Sequence, residues 1–359
     1  MRNFRISLLF FASLSMAFVS LIALSVVVAE RAFAHGDHAH EHENHNKNSD
    51  YSKLSLAELE QKVLGIQYLS PQPAAIEALQ ARLDSISLSS EADQVAKHYL
   101  YARLQQHHHD FEQAKKTLSK ALEIGPNNVS ALLLMASIEN NLGNHEAALE
   151  KCQQLVGLAD STFVAACIVE TKAQLAPDDI QAQYDNLSRI ATLNAAATNE
   201  HHYWINEILA DLALKLDKPT VAAEHLQGAQ LSKAPVSYIA LWADAQMALD
   251  NHAHVLDMLT LMTKEQAEIN DALLLRLAMA EKKASDDDHW HNAMRQRIAE
   301  RSDEHNYAHA AELARFYLYV DVNPQEATRW AKVNLNHAKS RMDVELLAAA
   351  ESLQNAQSE

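Results

Sequence analysis

Between Val95 and Asp160 the chain repeats itself with a period of 34 residues. In the first copy Tyr101-Ala102 is followed by Asp110-Phe111, Ala114, Leu118, Ala121 and Pro126. In the second, Met135-Ala136 is followed by Asn144-His145, Ala148, Cys152, Leu155 and Asp160. A unit of this length holds one pair of helices. Such a pair cannot bury its apolar face alone and must stack on neighbours, so the repeat argues against a globule built around a single cleft.

Composition agrees with helix throughout. Only 6 Gly and 7 Pro occur in 359 residues, while hydrophobic residues make up 48%. Ala, Leu, Glu, Gln and Lys fill the intervals, and no alternating run of β-branched and aromatic residues bounded by turns is present. The expected class is therefore all-α. The formal net charge is −17, and removing Arg2, Arg5, Arg31 and Glu30 with the first 34 residues leaves −19. Such a surface repels phosphate backbones and anionic headgroups, which excludes nucleic acid as the expected partner and favours cations or basic protein surfaces.

The first 34 residues read as an export signal. Arg2 and Arg5 precede an apolar run from Ile6 to Ala29, and Ala32-Phe33-Ala34 is an A-x-A cleavage pattern. The run is also long enough to span a bilayer, so the alternative is an uncleaved anchor in the inner membrane. Either way the rest of the chain is expected in an exported, oxidising compartment, the periplasm. Membrane association is expected only through that anchor or through a membrane-protein partner. Residues 35–46 read HGDHAHEHENHN, which places His35, His38, His40, His42 and His45 among Asp37, Glu41 and Glu43. Neutral imidazoles beside carboxylates are ligands for Zn, Cu or Ni, and a pliable tract wraps several of them around one ion. The bland alternative is a polar leader, with residues 35–53 acting only as a linker.

Residues 54–88 are expected to form two capping helices, opened by the capping box Ser55-Leu56-Ala57-Glu58 and broken at Ser70-Pro71-Gln72-Pro73. The first clear pair is Glu91 to Gln106 and Phe111 to Ile124. The second is Val129 to Asn141 and Glu146 to Leu158. Gly125-Pro126-Asn127-Asn128 separates the two. These units resemble the tetratricopeptide repeat. The small residues Ala102 and Ala136, the second-helix alanines Ala114 and Ala148, then Leu118, Ala121 and Pro126 match its pattern, and FEQAKKTLSKALEIGPNN is close to its second helix. His98 and Leu132 stand where that family has Trp, and Gln105 where it has Tyr. Later units are looser: Ala182, Ala222, Ala293 and Ala327 continue one series, and Ala210, Ala243, Ala278 and Ala314 the other. Small side chains are needed where two antiparallel helices cross closely. The resemblance implies a right-handed α-solenoid of about seven antiparallel pairs over residues 89–340, with residues 341–359 as a C-terminal cap and tail. It also implies a protein or peptide partner held on the concave face.

Other residues stand out. Cys152 and Cys167, the only cysteines, flank one turn. They are either a disulfide or two small core residues. The turns carry His107, His108, His109, His252, His254, His289 and His291, which either form a second, weaker metal-binding rim or are ordinary exposed polar residues. Trp and Tyr at helical spacing read as core or as groove lining. No G-x-S-x-G, H-E-x-x-H or Gly-rich phosphate loop occurs, so catalysis and a required cofactor are not expected.

Overall fold

The computed structural model describes residues 51–68, 73–193, 202–227, 231–303 and 308–356. Within these residues the chain is all-helical, without a strand. The leader and the histidine-rich tract, including His35, Asp37, His38, His40, His42 and His45, lie outside the described residues.

Seventeen α-helices follow in order among the described residues. The first six are α1 (Leu56–Gly65), α2 (Pro73–Ser85), α3 (Glu91–His107), α4 (Phe111–Ile124), α5 (Val129–Asn141) and α6 (His145–Gln154). Next come α7 (Ser161–Leu175), α8 (Ile180–Leu193), α9 (His202–Lys215), α10 (Pro219–His225), α11 (Val236–Ala248) and α12 (His252–Thr263). The chain ends with α13 (Asp271–Ala284), α14 (His289–Asp303), α15 (Ala310–Tyr319), α16 (Pro324–Asn334) and α17 (Arg341–Ala356). Side-chain caps start many of them. Ser55 and Glu58 form the expected capping box, and Ser90 with Asp93 forms another. Asp110, Asn128, Asp160, Asn270 and Asn323 each accept a hydrogen bond from the first turn of the helix that follows. α6 stops earlier than its sequence pattern implies, because the chain turns after Leu155 and passes through Gly157 at φ +81°.

Burial sorts the helices into two layers. In α5 every residue from Ala131 to Asn141 is buried, and α11, α13 and α15 are buried along almost their whole length. α4, α8, α12 and α14 bury a single stripe, such as Val255, Leu259 and Thr263 of α12. The odd-numbered helices form an unbroken inner series in which each packs on the next from α1 to α17, and the even helices lie outside it. Ala114, Ala121, Ala148, Ala210, Ala222 and Ala327 are all fully buried at helix crossings, whereas Ala182 and Ala293 are only partly so.

The turn from inner to outer helix recurs as one backbone motif. His109, Gly143, Asp217 and Asp250 all have positive φ, and each lies two residues before the outer helix begins. Beside them the amides of Asp110, Asn144, Lys218 and Asn251 donate to the carbonyls of Gln105, Glu139, Ala213 and Gln246 at 2.8–3.0 Å. This is the Schellman closure, which satisfies carbonyls that a helix end leaves free. A disulfide joins Cys152 of α6 to Cys167 of α7, with 5.5 Å between the Cα atoms. Beside it the Cys152 sulfur lies 3.6 Å from Thr171 Oγ1, and Thr171 in turn accepts from Asn140 Nδ2 at 2.9 Å.

The two ends of the inner series meet. Val236 N–H at the start of α11 donates to the Gln67 carbonyl after α1 at 3.0 Å. Lys339 N–H, just before α17, donates to the Asn141 carbonyl at the end of α5 at 2.6 Å. Carboxyl ends of α1, α3 and α5 thus face amino ends of α11, α15 and α17, so opposite helix-dipole ends are opposed.

Two stability predictions follow from these contacts. A Cβ at Gly143 would lie 2.8 Å from the Lys339 carbonyl oxygen, whereas one at Gly157 would meet nothing, although both sit at positive φ. Gly157→Ala is expected to cost about 1 kcal/mol of backbone strain, and Gly143→Ala about 1–3 kcal/mol more, as read by urea unfolding. Equal losses would refute the closure. Reducing the Cys152–Cys167 bridge, which closes a separation of 15 residues, is expected to lower stability by about 3 kcal/mol in the same assay.

Candidate functional site

Where the ends meet, the inner series encloses a cavity of about 860 Å³. Its walls come from distant parts of the chain: Ile66 and Gln67 after α1, His107 and His109 at the end of α3, Asn141 of α5, Ser237 of α11, Arg276 of α13, and His309 with Glu312 at α15. Ala338, Asp343 and the apolar Phe111, Val236, Ala240 and Ala311 complete it. The surface it exposes is mostly apolar, although polar and charged residues, Asn270 and Asn334 among them, outnumber apolar ones in the lining.

Those polar groups are incompletely satisfied. Asn141 is 2% exposed and donates to the Ser137 carbonyl at 2.9 Å, but its Oδ1 has no hydrogen-bond partner. His109 Nε2 is likewise buried without a partner. A buried polar atom left unpaired costs about 1–3 kcal/mol, and Asn141 Oδ1 and His109 Nε2 carry that cost at this cavity. Two of the buried charges have close partners. Arg276 forms a two-pronged pair with Asp244 of α11 at 3.0 and 2.7 Å, with both side chains almost fully buried. Asp343 accepts from Asn334 Nδ2 at 2.7 Å and from Ser340 Oγ at 2.6 Å, and the Arg315 guanidinium faces it and Glu312. Burial pushes the Asp343 carboxyl up despite those bonds.

The structure divides the histidines of the turns into separate groups. His109 packs its ring on His309 at 4.8 Å and on Phe111 at 5.5 Å, and the His107 and His108 rings lie 5.6 Å apart. Burial depresses the His107 imidazole to about 3, with His108 and His309 adding to the effect. Burial also holds His109 well below its ordinary value, reinforced by His309, His107 and His337. The remaining turn histidines engage their own neighbours. His252 approaches Asp250 at 3.7 Å, His254 packs on Trp242, His289 on Trp290, and His291 on Phe316. Among the described residues no group of three or more His, Cys, Asp or Glu is arranged to hold a metal ion.

Sequence reading pointed to His107 and His109 but not to His309, Asn141, Arg276, Glu312 or Asp343. His309 occupies the N-cap position of α15 without making a capping bond. Arg276 interrupts the apolar run Leu273 to Leu277, and that interruption is the one signal a sequence offers for a buried charge. Among the described residues no helix is long and apolar enough to cross a membrane. No family model, curated protein or solved structure matches the chain.

The depressed histidines predict a pH dependence. Their folded values lie below the unfolded value near 6.5, so the stability they contribute is complete above that pH. It is lost as pH falls from about 6.5 toward 3, because the unfolded chain takes up protons that the folded cavity refuses. The expected slope is about 1.4 kcal/mol per pH unit for each such histidine. Urea unfolding of the double variant His107→Gln, His109→Asn between pH 7 and 4 is expected to show a shallower decline than the parent; parallel declines would refute the assignment.

Proposed function

We propose that this chain is an exported, non-catalytic binding protein: a solenoid of helix pairs of tetratricopeptide type that holds a protein or peptide partner on its inner face, at the central cavity. The observation that carries the reading is the pair of buried, unpartnered polar atoms Asn141 Oδ1 and His109 Nε2 on a cavity wall whose exposed surface is mostly apolar. A partner that enters with both apolar surface and hydrogen-bonding groups removes the cost of leaving them unpaired. The unbroken stacking of odd-numbered helices and the recurring turn support the repeat architecture. The A-x-A pattern at Ala32 to Ala34 supports export to the periplasm.

A second reading, capture or delivery of Zn, Cu or Ni, rests on the tract from His35 to His45. The two readings are compatible, with the tract loading metal while the array docks a client or transporter.

Site-specific photocrosslinking tests the first. A crosslinking amino acid in place of His309, on the cavity wall, is expected to trap one discrete partner in the exporting cell. The same group in place of Lys116, exposed on α4, is expected not to. The adduct should persist when residues 35–46 are deleted. Identical crosslinks from both positions would overturn the inner-face assignment, and loss of the adduct with the tract would favour metal handling.

A further inference from the structure

A second cleft, of about 440 Å³, lies between α7, α9 and the first turn of α17. We propose that it is a binding site for the ammonium group of an aliphatic amine. This inference is independent of the central cavity and of the partner proposed for it.

Helical spacing builds the site. Trp204, Glu207, Asp211 and Lys215 follow at intervals of three, four and four residues, so they share one face of α9. Glu170 and Gln174, four residues apart on α7, face them across the cleft, and Met342 of α17 closes one side. Three carboxyl groups thus line the space with one cation among them. That cation is already engaged, since Lys215 Nζ binds Asp211 at 2.6 Å. The Arg341 side chain nearby pairs with Glu345 at 2.7 Å, and only its backbone N–H reaches the cleft, donating to Gln174 Oε1 at 3.2 Å.

What distinguishes this cleft from an ordinary acidic patch is unmet bonding deep inside it. Glu207 is 4% exposed, yet its Oε1 has no hydrogen-bond partner. The Ser237 hydroxyl of α11 faces Glu207 and the Trp204 indole N–H faces Glu170, and both oppose the effect of burial, yet Glu207 Oε1 still has no partner. A buried carboxyl in this state lacks a donor that carries positive charge. A primary ammonium offers three N–H donors and one compact charge, and the Trp204 ring adds an aromatic wall that favours organic cations. A metal ion fits less well, because the described residues include no ligand group with metal-binding geometry.

Titration reports the same deficit. Burial raises Glu170 to about 8, with Asp211 adding to the shift and Lys215 opposing it. Burial raises Glu207 well above the carboxylate range, opposed by Ser237 and reinforced by Glu170 and Asp211. Tyr238 on α11 faces Glu207 and is itself raised, so it stays neutral. Raised carboxyls of this kind are expected to give up a proton when an ammonium group enters beside them.

Calorimetric titration of 1,4-diaminobutane into the full chain at pH 7, in phosphate and in MOPS, reads binding and proton release together. Binding with Kd of about 1 mM or tighter is expected, with release of roughly one proton. 1-Butanol and magnesium chloride should give no saturable heat. Titration with N-acetyl-lysine amide separates the two sources of such a group: binding there equal to the diamine's assigns a protein lysine, and weaker binding assigns a small free amine. Glu207→Gln and Glu170→Gln should each weaken the diamine at least tenfold. Their folding is checked by circular dichroism. Glu170→Gln should also raise Tm at pH 8, since a carboxyl with a raised folded value loses its contribution as pH rises through that value. Absence of binding, binding without proton release, or undiminished binding in folded variants would each overturn the proposal. If a variant does not fold, proton release by the parent chain decides.

Discussion

Close helix crossing is the constraint on which the molecule depends. Ala102, Ala136, Ala210, Ala243, Ala278 and Ala314 sit in the inner helices with almost no exposed surface. Without side chains beyond Cβ, the inner helices approach both their outer partners and each other. An inner helix such as α5 is then buried all round, and its sequence is apolar all round, SALLLMASI from Ser130 to Ile138. Hydrophobic burial along this layer is the main stabilising term, and it falls into three contiguous clusters, the first of which runs from Ala210 of α9 to Ala350 of α17.

Polar residues in that layer have to be neutralised locally. Arg276 and Asp244 do so as a pair, and Asp271 is met by Arg297 and Arg301 of α14. Glu281 accepts from the backbone N–H groups of Trp290 and His291 and so caps α14, as the expected helix-end chemistry requires. Glu139 is held by Lys115 at 2.9 Å and by Asn144 at 2.8 Å. Against this background of satisfied charges, the exceptions stand apart. Some of them lie at the central cavity and at the cleft between α7 and α9, and others, such as Tyr99 Oη, His252 Nδ1 and Thr328 Oγ1, lie elsewhere in the helices.

Much of the fold was readable from the residues. The helix starts at Ser55, Ser90, Asp110, Asn128 and Asn323 follow from capping chemistry, and helix bounds such as Phe111–Ile124 and Val129–Asn141 follow from periodicity. Both are local effects, decided within one or two turns. The candidate sites were far less legible. His109 meets His309, Gln67 meets Val236, and Asn141 meets Lys339 only because the inner series curves back on itself.

The sequence by itself determined the all-helical class and the small residues that are buried between helices, because each depends on neighbours close in the chain. It also placed acidic, polar and aromatic side chains at defined helical positions, as with Trp204, Glu207 and Asp211. Tertiary structure alone decided which of these face one another and which are left unpaired. The path that brings α1 and α5 against α11 and α17 depends on how every helix of the series packs on the next. No single residue encodes that path.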